Sequence, residues 1–112
     1  MTGTAWVPAD GSPRVLVVDD DEEQVEELLE MFTGAGISAG AATSATQAIE
    51  MFSSMRPQLM LVDVRMPGFD GRKLASLVSA LDRRVAIILM SGDWDAVAEL
   101  KERDEGFLAV IR

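Results

Sequence analysis

The side chains best suited to chemistry in this sequence are carboxylates and a hydroxyl that directly follow runs of apolar residues. Asp19 and Asp20 follow RVLVV, Asp63 follows LMLV, and Ser91 follows VAIILM. If the first two runs are neighbouring strands, their carboxylates converge, and the repulsion would cost several kcal/mol. A hard cation relieves that repulsion, and oxygen ligands favour Mg²⁺, or Mn²⁺ in its place, over zinc or copper. Because Mg²⁺ also accepts phosphate oxygens, the pattern indicates phosphoryl transfer or phosphate recognition.

Composition narrows the classes of function further. A chain of 112 residues fits one domain, and its formal net charge of -9 disfavours direct binding to nucleic acid or to an anionic membrane surface. The absence of cysteine and histidine excludes disulfides, thiolate or imidazole metal sites and histidine-dependent catalysis within the chain. Its longest wholly apolar run, Val85 to Met90, is too short to cross a bilayer, and the N-terminus lacks the features of a signal peptide. We therefore expect a cytoplasmic protein.

The elements that must position these residues alternate along the chain. Residues 1–13 are rich in Gly, Pro and Thr and predict a flexible tail, and the turn residues of Arg65–Gly71 predict a loop. Apolar residues at helical spacing predict helices over Val25–Phe32, Ala45–Phe52, Leu74–Leu81 and Trp94–Lys101. Short apolar runs predict strands at Arg14–Val18, Ile37–Ala41, Leu59–Val62, Val85–Met90 and Leu108–Ile111.

This alternation predicts a mainly parallel sheet with helices on both faces. In such folds, ligands bind beyond the carboxyl ends of the strands, at the point where the strand order reverses. Each candidate residue taken alone also has an ordinary structural explanation: an acidic helix start, a loop cap or a turn. The conjunction of carboxylates after the first and third strands with a hydroxyl after the fourth favours a functional site.

The motifs RVLVVDDD, LMLVDVRMPGFDG and IILMSG, in this order, resemble the receiver domain of two-component response regulators over residues 14–112. The resemblance implies a flavodoxin-like (βα)5 fold with a five-stranded parallel sheet of order 2-1-3-4-5. It also implies a phosphorelay function, in which a sensor histidine kinase or phosphotransfer protein phosphorylates an aspartate in a Mg²⁺-dependent reaction. The resulting conformational switch would control an output domain or a partner protein, and receivers often form homodimers through the face that contains the fourth helix.

The same resemblance assigns roles to individual residues. Asp63 matches the phosphoacceptor, and Asp19, Asp20 and the backbone carbonyl of Arg65 match the remaining groups that hold Mg²⁺. The other matched positions are Ser91 and Gly92 at the phosphoryl group, Pro67 and Gly71 in the loop after the accepting strand, and Val110, with Phe107 as an offset substitute, at the aromatic switch position.

Three features depart from the family pattern. Val110 is not the aromatic residue that the family has at the switch position, so the resemblance does not imply signalling through an aromatic side chain. No lysine follows the fifth strand, since Lys73 and Lys101 lie on predicted helices, and the sequence stops at Arg112 before a fifth helix. We interpret the chain as truncated; if it were complete, the alternative would be a pseudo-receiver that docks partners independently of phosphorylation. A metal-dependent phosphatase fits less well, because those enzymes have an aspartate two positions after the nucleophile and this sequence has Arg65. We therefore expect slow self-hydrolysis of an aspartyl phosphate and no enzymatic turnover.

Overall fold

A parallel sheet with helices on both faces forms the centre of the computed structural model, which describes residues 14–66, 68–91 and 108–111. In chain order, the elements are β1 (Arg14–Val18), α1 (Glu22–Gly34), β2 (Ser38–Ala42), α2 (Ala45–Met55), β3 (Leu59–Asp63), β4 (Arg65–Met66), β5 (Phe69–Asp70), α3 (Gly71–Leu81), β6 (Ala86–Ser91) and β7 (Leu108–Ile111). The sheet has the order β2-β1-β3-β6-β7, and all of its neighbours are parallel. Counted within this sheet alone, the order is 2-1-3-4-5, so the predicted topology is confirmed.

The side chains of β1 show why the sheet is covered on both faces. Leu16 and Val18 belong to a core shared with α2 and α3, whereas Val15 and Val17 belong to a core shared with α1. Because successive side chains of a strand point to opposite faces, the part of a strand that is buried on both sides contains only apolar residues. This explains the uninterrupted apolar run before Asp19.

Several element boundaries differ from the prediction, with local causes. Strand β2 starts at Ser38, because the N–H of Ile37 donates to the carbonyl of Phe32 (2.9 Å) and closes the turn that ends α1. Gly36 supplies the positive φ of 79° that this turn needs. The predicted loop over residues 65–71 contains the short antiparallel pair of β4 and β5, and Gly71 is already the first residue of α3.

Some predictions fall outside the described residues, namely the tail over residues 1–13 and the helix over 94–101. Within the part of the chain that the structure describes, no helix is long and apolar enough to cross a membrane. Hereafter, "carboxyl edge" denotes the edge of the sheet where its parallel strands end, and "amino edge" denotes the edge where they begin. Strand β1 has β2 as its neighbour on one side and β3 as its neighbour on the other, so the strand order reverses between β1 and β3.

Candidate functional site

Asp19 is the first residue beyond β1 at the carboxyl edge. Its backbone N–H donates to the carbonyl of Ala42 (3.1 Å), so the end of β2 holds the residue in place. Its side chain is fully buried, and Oδ1 accepts a hydrogen bond from the N–H of Asp21 (3.0 Å). Burying an ionised carboxylate is costly unless partners compensate for its charge. Apolar packing alone therefore does not explain why an aspartate occupies this buried position.

The start of α1 fixes the bend that carries Asp20. Asp21 is the N-cap of α1, and its carboxylate accepts from the N–H groups of Glu23 (3.1 Å) and Gln24 (3.3 Å). These bonds satisfy donors that the first helical turn leaves unpaired. Asp20 therefore lies between Asp19, which is bonded to the end of β2, and the first turn of α1, and it is exposed to solvent.

Asp63 is the last residue of β3, and its side chain is only 7% exposed. The next residue is held on two sides: the N–H of Val64 donates to the carbonyl of Met90 (2.9 Å), and its carbonyl accepts from the N–H of Gly71 (2.8 Å). The start of α3 is thereby drawn against the end of β3. This contact fixes the backbone from which the Asp63 side chain projects.

Gly71 makes that close approach of backbone to backbone feasible. A Cβ atom at this position would collide with the carbonyl oxygen of Asp63 and lie 2.9 Å from its carbonyl carbon. It would also lie 3.0 Å from Cα of Val64. The glycine assigned to loop shaping in the sequence is therefore required here by lack of space.

The three carboxylates meet at the carboxyl edge, where strand order reverses. One oxygen from each of Asp19, Asp20 and Asp63 lies within 4.8 Å of the others. The donors are all oxygen atoms, which Mg²⁺ prefers, and their combined charge favours a divalent cation. Asp19 and Asp63 are buried and Asp20 is exposed. A bound ion would therefore contact carboxylates on its protein side and water on its solvent side.

The other residues assigned from the sequence divide into two groups. Arg65 is the first residue of β4, with its backbone paired to Asp70 in β5. Ser91 ends β6, one position beyond the register partner of Asp63, and Val110 lies in β7 opposite Met90. Gly92, Pro67 and Phe107 lie outside the described residues, and the roles of all six residues stay predictions.

Sequence reasoning missed the ion pair that begins α3. Asp70 is the N-cap of this helix and accepts from the N–H of Arg72 (2.8 Å), and the guanidinium of Arg72 binds the same carboxylate at 3.0–3.3 Å. Burial raises the pKa of Asp70, but the hydrogen bonds and charge of Arg72 outweigh it, so the pKa lies below its ordinary value. The sequence does contain a signal for this N-cap, namely an aspartate directly before an apolar run of helical period, whereas the turn predicted over residues 65–71 accounts for Asp70 without it.

Comparison with known proteins places this arrangement in context. Residues 15–111 match the family model described as the response regulator receiver domain. Sporulation initiation phosphotransferase F of Bacillus subtilis (strain 168) is 31% identical over 91 residues, which cover 80% of this chain and 73% of that protein. The DNA-binding response regulator MtrA of Mycobacterium tuberculosis (strain ATCC 25618 / H37Rv) is 33% identical over 84 residues, which cover 75% of this chain and 36% of that protein.

A solved structure supports the same fold. The CheY-like response regulator receiver domain protein from Methanospirillum hungatei JF-1 aligns with a TM-score of 0.80 at 21% sequence identity. The alignment covers 89% of this chain and 80% of that chain. At this level of identity the likeness establishes the fold alone.

Proposed function

The chain belongs to the family of response regulator receiver domains, and on that basis we propose that it is a phosphoacceptor switch modified at Asp63. Receiver domains in general accept a phosphoryl group rather than turn over a substrate. The donor would be a phosphohistidine on a sensor kinase or on a phosphotransfer protein in the cytoplasm. The observation that carries the proposal is the convergence of Asp63 with Asp19 and Asp20 at one edge of the sheet.

In the proposed reaction, a carboxylate oxygen of Asp63 attacks the phosphorus atom of the phosphohistidine. A P–O bond forms and the P–N bond breaks, and the imidazole leaves with the electron pair and takes up a proton from solvent. Asp19, Asp20, Asp63 and the backbone carbonyl of Arg65 are the groups that would hold Mg²⁺. When bound, the ion would neutralise charge on the phosphoryl oxygens. Attachment of Asp63 to a strand buried on both faces supports in-line attack, because the nucleophile is held in one position.

Ser91 supports a route from the modified aspartate to the rest of the domain. It ends the strand next to β3, one position beyond the register partner of Asp63. We propose that its hydroxyl turns to hydrogen-bond the new phosphoryl group, with Gly92 beside it, and that β6 and β7 repack as a result. This change would set the activity of an output domain or a partner, and MtrA, of which the chain spans 36%, is itself named as a DNA-binding regulator.

The proposal is tested by incubating the chain with a small acyl phosphate and Mg²⁺ and measuring its intact mass. We expect the mass of one added phosphoryl group in the wild type, and none after Asp63→Asn or when Mg²⁺ is chelated. Asp82→Asn, which removes a carboxylate from the amino edge, is the matched control and should be phosphorylated as the wild type is. No gain in the wild type would favour a docking module that acts without phosphorylation, and an equal gain in Asp63→Asn would place the acceptor elsewhere.

A further inference from the structure

A second polar site lies at the amino edge, where β1, β3 and β6 begin. A cavity of about 410 Å³ opens there, next to the C-terminal ends of α2 and α3, and three of its lining residues are Arg14, Arg56 and Arg84. Its volume falls in the range of roughly 300–1,000 Å³ that is common for small-molecule sites. None of these residues belongs to the carboxylate cluster of Asp19, Asp20 and Asp63. The proposed phosphorylation at Asp63 therefore does not account for the cavity.

The cavity is positively charged in a chain whose formal net charge is -9. Among the described lining residues the one acidic residue is Asp82, which is bound by Arg84 through the backbone N–H (2.9 Å) and through Nε (3.1 Å). Among the described residues, Arg14 and Arg56 form no ion pair. The three guanidinium groups face the one carboxylate of Asp82, on which the charge of Arg56 also acts, so the described lining keeps a net positive charge that an anion can neutralise.

Hydrogen bonds hold the two arginines next to each other. Nε of Arg14 donates to the carbonyl of Arg56 (3.0 Å), and the backbone N–H of Arg14 donates to Oε1 of Gln58 (2.8 Å). The first bond leaves the terminal amino groups of Arg14 for a ligand, and the second leaves the amide nitrogen of Gln58 as a donor. Because its Nε is held in this way, the guanidinium of Arg14 loses less side-chain entropy when it binds an anion.

The backbone of Arg56 gives an independent indication that its side chain has a use. Arg56 ends α2 with a φ of 53°, and it is the one non-glycine residue with a positive φ among the described residues. Glycine or asparagine normally occupies this left-handed position, because a larger side chain is strained there. An arginine that weakens the helix end is consistent with a binding role, since such strain is found at functional sites.

We propose that this cavity binds a small organic phosphate, with Arg14 and Arg56 on the phosphate oxygens and Gln58 on a neighbouring hydroxyl. Guanidinium groups match the geometry of phosphate oxygens and can bind them in pairs. The remaining lining residues that the structure describes, Pro57 and Val85, are aliphatic. Because the described lining contains no aromatic ring to stack on a nucleobase, a phosphorylated sugar or polyol fits better than a nucleotide. This site does not depend on phosphorylation at Asp63.

The test is a titration of the ¹⁵N-labelled chain, followed by amide NMR shifts in Mg²⁺-free buffer. Glycerol 3-phosphate should cause saturable shifts of the amides of Arg56, Gln58 and residues 84–86, and glycerol should cause none. Inorganic phosphate lacks the hydroxyls and glycerate lacks the phosphate, so each should bind about tenfold more weakly than glycerol 3-phosphate. Shifts that do not saturate, or equal binding of inorganic phosphate, would mean an adventitious ion only and would overturn the proposal. Equal binding of glycerate would overturn the assignment to phosphate.

Two variants separate binding from folding. Arg56→Gly removes the guanidinium and suits the left-handed backbone, so we expect about tenfold weaker binding of glycerol 3-phosphate with an unchanged or higher melting temperature. Arg83→Gln removes the same charge from an exposed neighbour that does not line the cavity, and affinity should stay within about twofold. Wild-type affinity in Arg56→Gly, or an equal loss in Arg83→Gln, would contradict a site built on Arg56.

Discussion

The two edges of the central sheet carry opposite charges although the same strands reach both. At the carboxyl edge, Asp19 and Asp63 meet Asp20, whereas the amino edge gathers Arg14, Arg56 and Arg84 around a cavity. Parallel strands cause this separation, because every residue just after an apolar run lies at one edge and every residue just before it lies at the other. Strand β3 has five residues, so the edges are roughly 13 Å apart at about 3.3 Å per residue. At that distance one ion cannot contact both edges, so the two sites can be tested separately.

The edges also differ in how tightly their backbones are packed. At the carboxyl edge, α3 begins against the carbonyl of Asp63 with no space for a side chain at Gly71. At the amino edge, α3 ends beside an open cavity lined by Asp82 and Arg84. The backbone beside the carboxylates of the carboxyl edge is therefore closely packed, and substitutions there should cost more stability than substitutions at the amino edge.

The largest expected effect comes from Gly71→Ala. The added methyl group must displace the backbone of Asp63, so we expect the free energy of unfolding to fall by about 3 kcal/mol. Gly34→Ala is the matched control, because Gly34 ends α1 with nothing within 4 Å of an added Cβ, and it should be neutral or stabilising by up to about 1 kcal/mol. Urea unfolding measures both values. Equal stability of the two variants would show that the close approach at Gly71 is unimportant.

An intermediate effect is expected from magnesium. With Mg²⁺ at about ten times its dissociation constant, the free energy of unfolding should rise by about 1.4 kcal/mol, because an ion that binds only the folded carboxylate cluster stabilises the folded state. Asp20→Asn removes one ligand charge and should weaken Mg²⁺ binding about tenfold, as measured by titration calorimetry. Asp21→Asn is the control: it retains an N-cap residue outside the cluster, and its affinity should stay close to that of the wild type. A Mg²⁺ effect that survives Asp20→Asn unchanged would mean that the ion binds elsewhere.

The smallest effect compares the two ends of α3, where Asp70–Arg72 and Asp82–Arg84 form ion pairs of the same spacing. Asp70 lies at the N-terminus, where the helix dipole favours a negative charge, so Asp70→Ala should cost about 1 kcal/mol. Asp82 lies at the C-terminus, where the dipole opposes it, and its partner Arg84 is 87% exposed. Asp82→Ala should therefore cost less than Asp70→Ala in the same urea experiment.

The pH dependence of stability provides a second measurement on the same pair. Arg72 holds the pKa of Asp70 below its ordinary value of 3.8, so the ionised form is favoured in the folded state. The stabilisation is complete above pH 3.8 and is lost as the pH falls through the lower folded pKa. Asp70→Asn should flatten the loss of stability over this acid range. A wild-type slope in Asp70→Asn would assign the acid sensitivity to other carboxylates, such as Asp82, whose pKa the hydrogen bonds of Arg84 also lower.

Most of the fold could be predicted from local sequence pattern. Apolar runs that stop at Asp19, Asp63 and Ser91 identify three of the five strands of the sheet, since periodicity and turn residues are local signals. Their boundaries were less predictable: Ile37 belongs to the turn that ends α1, because a hydrogen bond to Phe32 decides its place. The order of the strands came from the family resemblance, since periodicity does not specify which strands are neighbours.

The candidate site divides in the same way. The sequence by itself determined that the three aspartates could share a cation. All three follow predicted strands, and parallel strands bring their carboxyl ends to one edge of the sheet. Only the tertiary structure decided that Asp19 is buried while Asp20 is exposed, that Gly71 has no room for a side chain, and that Asp70 binds Arg72. The cavity of Arg14, Arg56 and Arg84 also depended on it, because residues from three distant segments form one site only after the sheet has assembled.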